Sequence, residues 1–283
     1  MQQVNSTSYT LRVAVILCFV CSLGVSAAAV ILKPYQEANE KLNQQKNILD
    51  ATGLALGEYG RPAEELDRRQ IKELYGWISE KLVTLETGEY NTEEDITKFD
   101  AREAAKKPGE SIEILNPQFD PGENRRAKVA KVYFVTRPKD SKITQVVLPV
   151  HGKGLWGTLW GYLAIKSDLE TVQGLTFYEH KETPGLGGEV DSARFKSQWR
   201  GRKLFDPKGV PAAMVFKGPA PADNPYAVDG LSGATITSRG VTNLIRYWVS
   251  DDGYGPFLKR LKAELEGDQP SSDKEAGADN DGN

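Results

Sequence analysis

The sequence predicts an α+β protein in which one N-terminal transmembrane helix precedes a domain with a largely antiparallel sheet. An uncharged run of twenty residues near the N-terminus predicts the membrane helix, and short strand-like segments between helical regions predict the α+β class. The chain has 283 residues, of which 27% are charged, and a net charge of −3. This composition is that of an ordinary globular chain, and the charge gives no reason to expect a nucleic-acid partner.

The uncharged run covers residues 13–32, between Arg12 and Lys33, and leaves residues 1–12 as a short N-terminal, cytoplasmic segment. At 1.5 Å per residue it would extend over roughly 30 Å, the thickness of the hydrocarbon core of a bilayer. A cleaved signal peptide is the alternative, because the small residues at 26–29 suit a signal peptidase. We predict a retained helix, since the run is longer than a usual signal-peptide core. The flanking charges do not decide its orientation.

Cys18 and Cys21 are the only cysteines in the sequence, and both lie in this run. A redox or metal role requires accessible thiolates, so we interpret both as small packing residues of a membrane helix. The rest of the chain can therefore form neither an internal disulfide framework nor a thiolate-bound iron–sulfur cluster.

Residues 33–127 are predicted to be a membrane-proximal helical and connecting region. A first helix is predicted from Pro34 to about Leu56, where the chain is polar and rich in helix-favouring residues. A second helix is predicted after Pro62, because apolar residues lie broadly on one stripe. These residues are Leu66, Ile71, Leu74, Tyr75, Ile78 and Leu82. Residues 87–127 are polar and interrupted by prolines, which predicts little regular structure.

Residues 128–266 are predicted to be the main domain. Its strand-like segments are short and closely spaced, which favours antiparallel pairing over βαβ units. They are residues 131–136, 144–150, 159–165, 171–178 and 212–216. The acidic tail, residues 267–283, has no aliphatic residue larger than alanine and is predicted to be disordered.

The last part of this domain contains a loop of small residues, Asp229–Thr235, ahead of a predicted helix. Apolar periodicity places the helix from about Ser238 to Ser250, with Thr237 or Ser238 as its N-cap. Two interpretations follow from the residues. The loop could hold an anion beside the hydroxyl of Thr235, at the positive end of the helix dipole, or it could be an ordinary turn that caps a helix.

Segment His151–Gly157 formally matches the dinucleotide-binding pattern Gly-x-Gly-x-x-Gly. That pattern requires a helix after the glycines, whereas residues 158–165 are aromatic and strand-like. We therefore interpret the segment as a glycine-rich β-turn and not as an NAD site.

Asp229–Thr235 resembles the flavinylation motif of covalent FMN-binding domains, Asp-Gly-x-Ser/Thr-Gly-Ala-Thr, and fills every fixed position of it. The resemblance implies that Thr235 carries FMN through a phosphoester, which a separate flavin transferase makes from FAD. It also implies that the cofactor lies near other residues of the motif. These are Asp229, Ser232, Gly233 and Ala234.

Segment His180–Gly187 resembles a second signature of the same family, His-x-Glu-Thr-Pro-Gly-x-Gly. The resemblance implies a flavin pocket shaped by Glu182, Thr183, Gly185 and Leu186. His180 and Glu182 could instead be a metal pair or an acid–base pair, but no third ligand has a recognisable spacing, so we predict no metal site. Leu155 and Trp156 resemble residues near the flavin in this family, and their alternative role is that of core residues.

Over nearly the whole chain, from the apolar segment to the flavinylation motif, the sequence resembles the C subunits of Na+-translocating NADH:quinone oxidoreductases. The resemblance implies a single-pass protein of a bacterial inner membrane, with a periplasmic C-terminal domain that carries electrons on covalent FMN. Its implied partners are the other subunits, which hold the NADH, quinone and Na+ sites. The resemblance also implies that the chain has no catalytic residue of its own and is inactive alone. Two alternatives are the G subunit of the Rnf-type electron-transport complex and a membrane-anchored binding module without redox function.

Overall fold

A computed structural model describes residues 7–139 and 142–267. The chain divides into two compact units, Met1–Gln45 and Lys46–Asn283. The described part of the first unit is helical and belongs to α1 (Thr7–Thr52), which contains Pro34. Among the described residues α1 is the one helix long and apolar enough to cross a membrane, a property that a signal sequence shares. The tail predicted to be disordered lies, after Gly267, outside the described residues.

The second unit contains the strands and the other helices of the described chain. After α1 come α2 (Leu54–Tyr59), α3 (Arg68–Tyr75), β1 (Ile78–Thr84), β2 (Tyr90–Asn91), α4 (Ala101–Lys106), β3 (Ser111–Glu113), β4 (Arg125–Ala127), β5 (Val129–Val135), β6 (Gln145–Lys153), β7 (Thr158–Lys166), β8 (Val172–Glu179), α5 (Ala193–Gln198), β9 (Met214–Val215), β10 (Ala227–Val228), α6 (Thr235–Val249) and α7 (Gly255–Gly267). Short 3-10 turns occupy Ala63–Glu65 and Gly187–Asp191.

Six of the strands form one sheet in the order β2-β1-β5-β6-β7-β8, and all neighbours in it are antiparallel. The α+β class and the antiparallel sheet are therefore confirmed. β6 and β7 form a hairpin that pairs without interruption from Gln145↔Lys166 to Lys153↔Thr158. Its turn, residues 154–157, is the glycine-rich turn predicted from the sequence.

The main core lies between the sheet and the C-terminal helices. β6 contributes Leu148 and α6 contributes Leu244 and Ile245 to one buried cluster. The indole Nε1 of Trp248 donates to the carbonyl oxygen of His151 at 2.7 Å, which ties α6 to β6. α6 is thereby held against the sheet near the end where the hairpin turn lies.

A second set of buried side chains lies outside that cluster and comes from the end of α1 and from the next two helices. It comprises Ile48, Leu49, Leu54, Ile71 and Leu74. The side-chain amide of Gln173 on β8 donates to the carbonyl oxygen of Thr52 at 3.1 Å. The last turn of α1 is therefore part of the folded domain.

The helix predicted after Pro62 is too long. α3 begins after the capping residue Asp67 and ends before Gly76, and residues 78–84 are strand β1. β1 pairs with β5 along its whole length, from Ile78↔Val135 to Thr84↔Val129. Strand pairing therefore prevails over a spacing of apolar residues that a helix would also satisfy.

Two other elements differ from their predictions. Of the predicted strand at 212–216, only β9 forms, and it pairs in parallel with β10 in a separate two-stranded sheet. The helix predicted from Pro34 to Leu56 is the continuation of α1 and ends at Thr52, because Gly53 adopts a left-handed conformation with φ 68°. Region 87–127 contains only short elements, β2, α4, β3 and β4, in accord with its prolines.

Candidate functional site

Thr235 is the first residue of α6, so the predicted helix start at Ser238 is wrong by three residues. Ala234 is the N-cap, with φ −124° and ψ 53°, and its side chain makes no capping hydrogen bond. The first turn of an α-helix has N–H groups without an intrahelical acceptor, and its dipole favours negative charge. The side chain of Thr235 is exposed at this end of the helix.

Thr237 and Ser238, predicted as caps, lie within the first turn of α6, and both are buried. Their hydroxyl groups bond to residues outside the helix. The Thr237 hydroxyl donates to Oε2 of Glu182 at 2.5 Å. The Ser238 hydroxyl accepts from the backbone N–H of Leu231 at 3.1 Å and so fixes the preceding loop. Of the three hydroxyl groups in the first turn of α6, only that of Thr235 is accessible to a large ligand.

Glu182 is 5% exposed and connects three segments that are far apart in the sequence. Its Oε2 accepts from Thr237 on α6, and its Oε1 accepts from the backbone N–H of Trp156 in the hairpin turn at 2.8 Å. A Cβ at Gly187 would lie 2.6 Å from both Oε2 of Glu182 and Oγ1 of Thr237, so nothing larger than glycine fits there. Glu182 therefore joins the hairpin turn to α6 by hydrogen bonds, and its proposed part in shaping a flavin pocket stays a prediction.

The Thr-Pro-Gly turn contacts the loop of small residues. The carbonyl oxygen of Thr183 accepts from the N–H groups of Leu186 and Gly188, at 3.1 and 2.9 Å, and closes the turn around Gly185. Gly233 has φ 69°, and a Cβ there would lie 2.9 Å from Cδ2 of Leu186. Gly233 thus supplies a left-handed conformation and room for Leu186 at the same position. The two sequence motifs meet at this contact.

Asp229 and Gly230 hold the start of the loop. Oδ1 of Asp229 accepts from the N–H of Ala220 at 2.9 Å, and the N–H of Asp229 donates to Oε1 of Gln198 at 2.9 Å. A Cβ at Gly230 would overlap the carbonyl oxygen of Phe216. These two motif residues therefore fix the backbone conformation, while Ser232 and Gly233 remain exposed beside Thr235.

Apolar side chains are exposed around this loop. Leu155 is 47% exposed, Trp156 is 66% exposed, and Leu186 and Ile236 are 44% and 55% exposed. The alternative that Leu155 and Trp156 are core residues is wrong. The hairpin turn that contains Trp156 is bonded through Glu182 to Thr237, and Leu186 contacts Gly233, so these exposed side chains belong to segments that meet the start of α6.

The arrangement fits a flavin phosphate bonded to Thr235. It has an exposed hydroxyl at a helix N-terminus for the phosphate, and exposed leucine and tryptophan side chains for a planar ring. The acids of the two motifs are engaged in the fold, since Glu182 is buried and Asp229 is bonded to the backbone. Thr235 would therefore hold the group by its phosphate, and the exposed leucine and tryptophan side chains would hold its ring by apolar contact.

Comparison with known proteins finds a family match over the segments that form this site. Residues 154–250 match the FMN-binding domain family, a range that includes the hairpin turn, the Thr-Pro-Gly turn and α6. The chain is 42% identical to the C subunit of the Na(+)-translocating NADH-quinone reductase of Yersinia pestis, over 91% of this chain and 94% of that protein. It is 43% identical to the C subunit of Haemophilus ducreyi, over 92% of this chain and 96% of that protein.

The chain belongs to the family of C subunits of Na(+)-translocating NADH-quinone reductases. Solved structures of this family share the fold. The crystal structure of NqrC from Shewanella oneidensis has a TM-score of 0.71 and 32% identity, over 80% of this chain and 99% of that one. The C-subunit structure from Parabacteroides distasonis has a TM-score of 0.61 and 27% identity, over 80% of this chain and 96% of that one.

The two histidines of this family member are engaged in structural contacts. Nε2 of His180 lies 2.8 Å from Oδ2 of Asp191, and Nδ1 accepts from the N–H of Glu182 at 3.2 Å. His151 stacks on Trp160 with ring centroids 4.4 Å apart, and burial lowers the pKa of His151 to about 3. Within residues 7–139 and 142–267, no group of three or more His, Cys, Asp or Glu residues could hold a metal ion.

The structure shows one contact and one position near Thr235 that the sequence did not indicate. Thr237 was interpreted as a helix cap, but its partner Glu182 precedes it by 55 residues. Arg239 lies one helical turn after Thr235 and is exposed on the same helix. The spacing of four residues, once the helix start is known, is the signal that would have indicated Arg239.

Proposed function

We propose that the chain carries FMN bonded to Oγ1 of Thr235 and transfers electrons within a Na+-translocating NADH:quinone reductase. The observation that carries the proposal is the exposed Thr235 at the first position of α6, with exposed Leu155, Trp156 and Leu186 on turns that contact the start of that helix or the loop before it. The match to the FMN-binding domain family and the names of the relatives support it. Both relatives are C subunits, which favours this assignment over the G subunit of an Rnf-type complex.

The attachment would replace one phosphorus–oxygen bond by another. The hydroxyl of Thr235 attacks the phosphorus of the FMN half of FAD, the diphosphate bond breaks, AMP leaves, and the hydroxyl proton is lost. A separate flavin transferase would catalyse this step, because both acids of the motifs are engaged in the fold, Glu182 with Thr237 and Asp229 with the backbone of Ala220. The exposed position of Thr235 gives such an enzyme access.

Bound FMN would supply the one- and two-electron chemistry, while the protein supplies attachment, orientation and environment. Leu155, Trp156 and Leu186 would cover part of the ring with apolar surface and keep water from that part. Glu182 would act indirectly, since it positions the hairpin turn and α6 relative to each other. NADH oxidation, quinone reduction and Na+ transport would belong to the other subunits.

The apolar segment of α1 supports a single-pass protein of the bacterial inner membrane. We place the second unit in the periplasm because the resemblance to C subunits implies it, and the flanking charge does not prevent it, since long domains can be exported largely regardless of such charge. A reporter enzyme that is active only in the periplasm, fused after Asn283, should be active. Activity of a cytoplasm-specific reporter at that position would contradict this orientation.

Replacement of the acceptor hydroxyl tests the proposed chemistry. Thr235→Ala should fold as the wild type, because the side chain is exposed, but should carry no flavin in a denaturing gel when it is co-expressed with a flavin transferase. Thr235→Ser keeps a hydroxyl at the same place and should retain flavin. Peptide mass spectrometry should locate the modification on residue 235 of the wild type.

Two results would contradict the proposal. A fluorescent Thr235→Ala band in the denaturing gel would show that another residue is the acceptor. Wild-type protein without covalent flavin, despite an active transferase, would favour a binding module without redox function.

A further inference from the structure

Arg239 is placed to reach a group bonded to Thr235. The two residues are four apart on α6, and both are exposed. Side chains with this spacing lie on the same helix face, with Cβ atoms about 5–6 Å apart. Helical side chains also lean towards the N-terminus of their helix, so the guanidinium of Arg239 can extend towards the turn that contains Thr235.

The guanidinium of Arg239 has no bonding partner among the described residues. Within residues 7–139 and 142–267 it makes no hydrogen bond, ion pair or ring contact, whereas Arg194, near the same loop, already faces Asp229 at 3.9 Å. The acids that could compete are engaged. Glu182 is buried and bonded to Thr237 and Trp156, and Asp229 accepts from the backbone of the loop before it.

We propose that Arg239 binds the phosphodiester formed on Thr235 and so restricts the attached flavin to the surface of Leu155, Trp156 and Leu186. This inference rests on the proposed attachment of FMN at Thr235. A phosphodiester keeps one negative charge on two non-bridging oxygens, and a guanidinium can donate one hydrogen bond to each of them. The N-terminal N–H groups of α6 favour the same charge from below.

This role makes Arg239 a positioning residue for the cofactor. With the phosphate held by both the helix terminus and the guanidinium, the ribityl chain starts in a fixed direction. Without Arg239 the phosphate keeps only its bond to Thr235 and the helix dipole, and the flavin samples more orientations. The expected effect is that of an exposed ion pair, about a 1.5- to 5-fold change in the population of the held orientation.

The test compares full-length Arg239→Ala, Arg239→Lys and Arg68→Ala with the wild type, each co-expressed with a flavin transferase and purified in detergent. Arg68→Ala is the matched control, because Arg68 is an exposed arginine on α3, outside the site. Flavinylation is quantified by intact mass. Two properties of the flavinylated protein are then measured, the ³¹P resonance of the phosphodiester and the time-resolved anisotropy of flavin fluorescence.

Arg239→Ala should shift the ³¹P resonance and raise the freely rotating fraction of flavin about 1.5- to 5-fold, the range of an exposed ion pair. In about 1 M NaCl the wild type should approach Arg239→Ala, because salt screens the exposed pair. Arg239→Lys should give intermediate values of both readouts, since lysine keeps the charge but cannot donate to two phosphate oxygens at once as the planar guanidinium can. Arg68→Ala should match the wild type.

An Arg239→Ala protein with the wild-type ³¹P resonance and anisotropy would overturn the inference. Wild-type protein without flavin on Thr235 would instead refute the proposed function, so the two failures are distinct. If Arg239→Ala accepts too little flavin for measurement, Arg239→Lys against Arg68→Ala decides by the same readouts. If those two variants then have the same ³¹P resonance and the same anisotropy, the inference is overturned. If only Arg239→Lys differs from the wild type in these readouts, the inference is supported.

Discussion

The hydrogen bond between Thr237 and Glu182 should contribute substantially to the stability of the domain. Thr237→Val removes the hydroxyl but keeps a similar shape, and leaves Oε2 of a carboxylate that is 5% exposed without its 2.5 Å partner. Water has no room to replace the hydroxyl, because even a Cβ at Gly187 would lie 2.6 Å from that oxygen. A hydrogen bond to a charged group is worth about 1.5–3 kcal/mol, and we expect a loss of that size in the free energy of unfolding.

Thermal unfolding of the full chain in detergent, followed by tryptophan fluorescence, measures this loss. For domains of about 150–250 residues, 1 kcal/mol corresponds to about 2–4 °C, so the Tm should fall by roughly 3–12 °C. Thr97→Val is the matched control, because its hydroxyl donates to Asp95 at 2.6 Å on the exposed surface. The control should change the free energy by no more than about 0.5 kcal/mol. If both variants fall within that limit, the brace assigned to Glu182 does not exist.

Three further outcomes follow from the site. Gly240→Ala should destabilise the domain by about 1–3 kcal/mol, because its Cβ would overlap the carbonyl oxygen of Lys153 and must push α6 away from the hairpin. The control is Gly57→Ala in α2, where a Cβ meets no other atom, and it should be neutral or stabilising by up to about 1 kcal/mol. Chemical denaturation measures both variants. Equal stabilities would refute the close contact between Gly240 and Lys153. Flavinylation of Gly240→Ala should also decline, since Thr235 moves with the helix, and a wild-type yield by intact mass would contradict that. The purified single chain should show no NADH:quinone turnover, and robust turnover would rule out a pure carrier.

The sheet could be predicted from the sequence because its strands are short, apolar and separated by turns. β1 could not. Its apolar residues also fit a helical stripe that includes Leu74, and the choice depends on β5, whose pairing partners lie roughly fifty residues further along the chain. Local pattern and tertiary pairing disagree there, and the pairing decides the structure.

The site shows the same limit at the level of side chains. Motif resemblance selected the segments that meet, as the contact of Leu186 with Gly233 shows. It could not show which residues face a ligand and which hold the backbone. Glu182 and Thr237 are polar, and their mutual hydrogen bond is the reason that neither is free at the surface. Such pairing depends on the fold and has no local signal.

The place of Thr235 at the start of α6 has a mechanical consequence. The inner face of this helix lies in the main core, so the backbone at residue 235 moves with the sheet and not with a surface loop. A group bonded there has a rigid attachment point. It can rotate only about the bonds of the threonine side chain and of its own linker. If that group is the proposed flavin, its redox partner must approach this fixed attachment point. The distance between the two is set by how the proteins dock, with no swinging arm of polypeptide to shorten it.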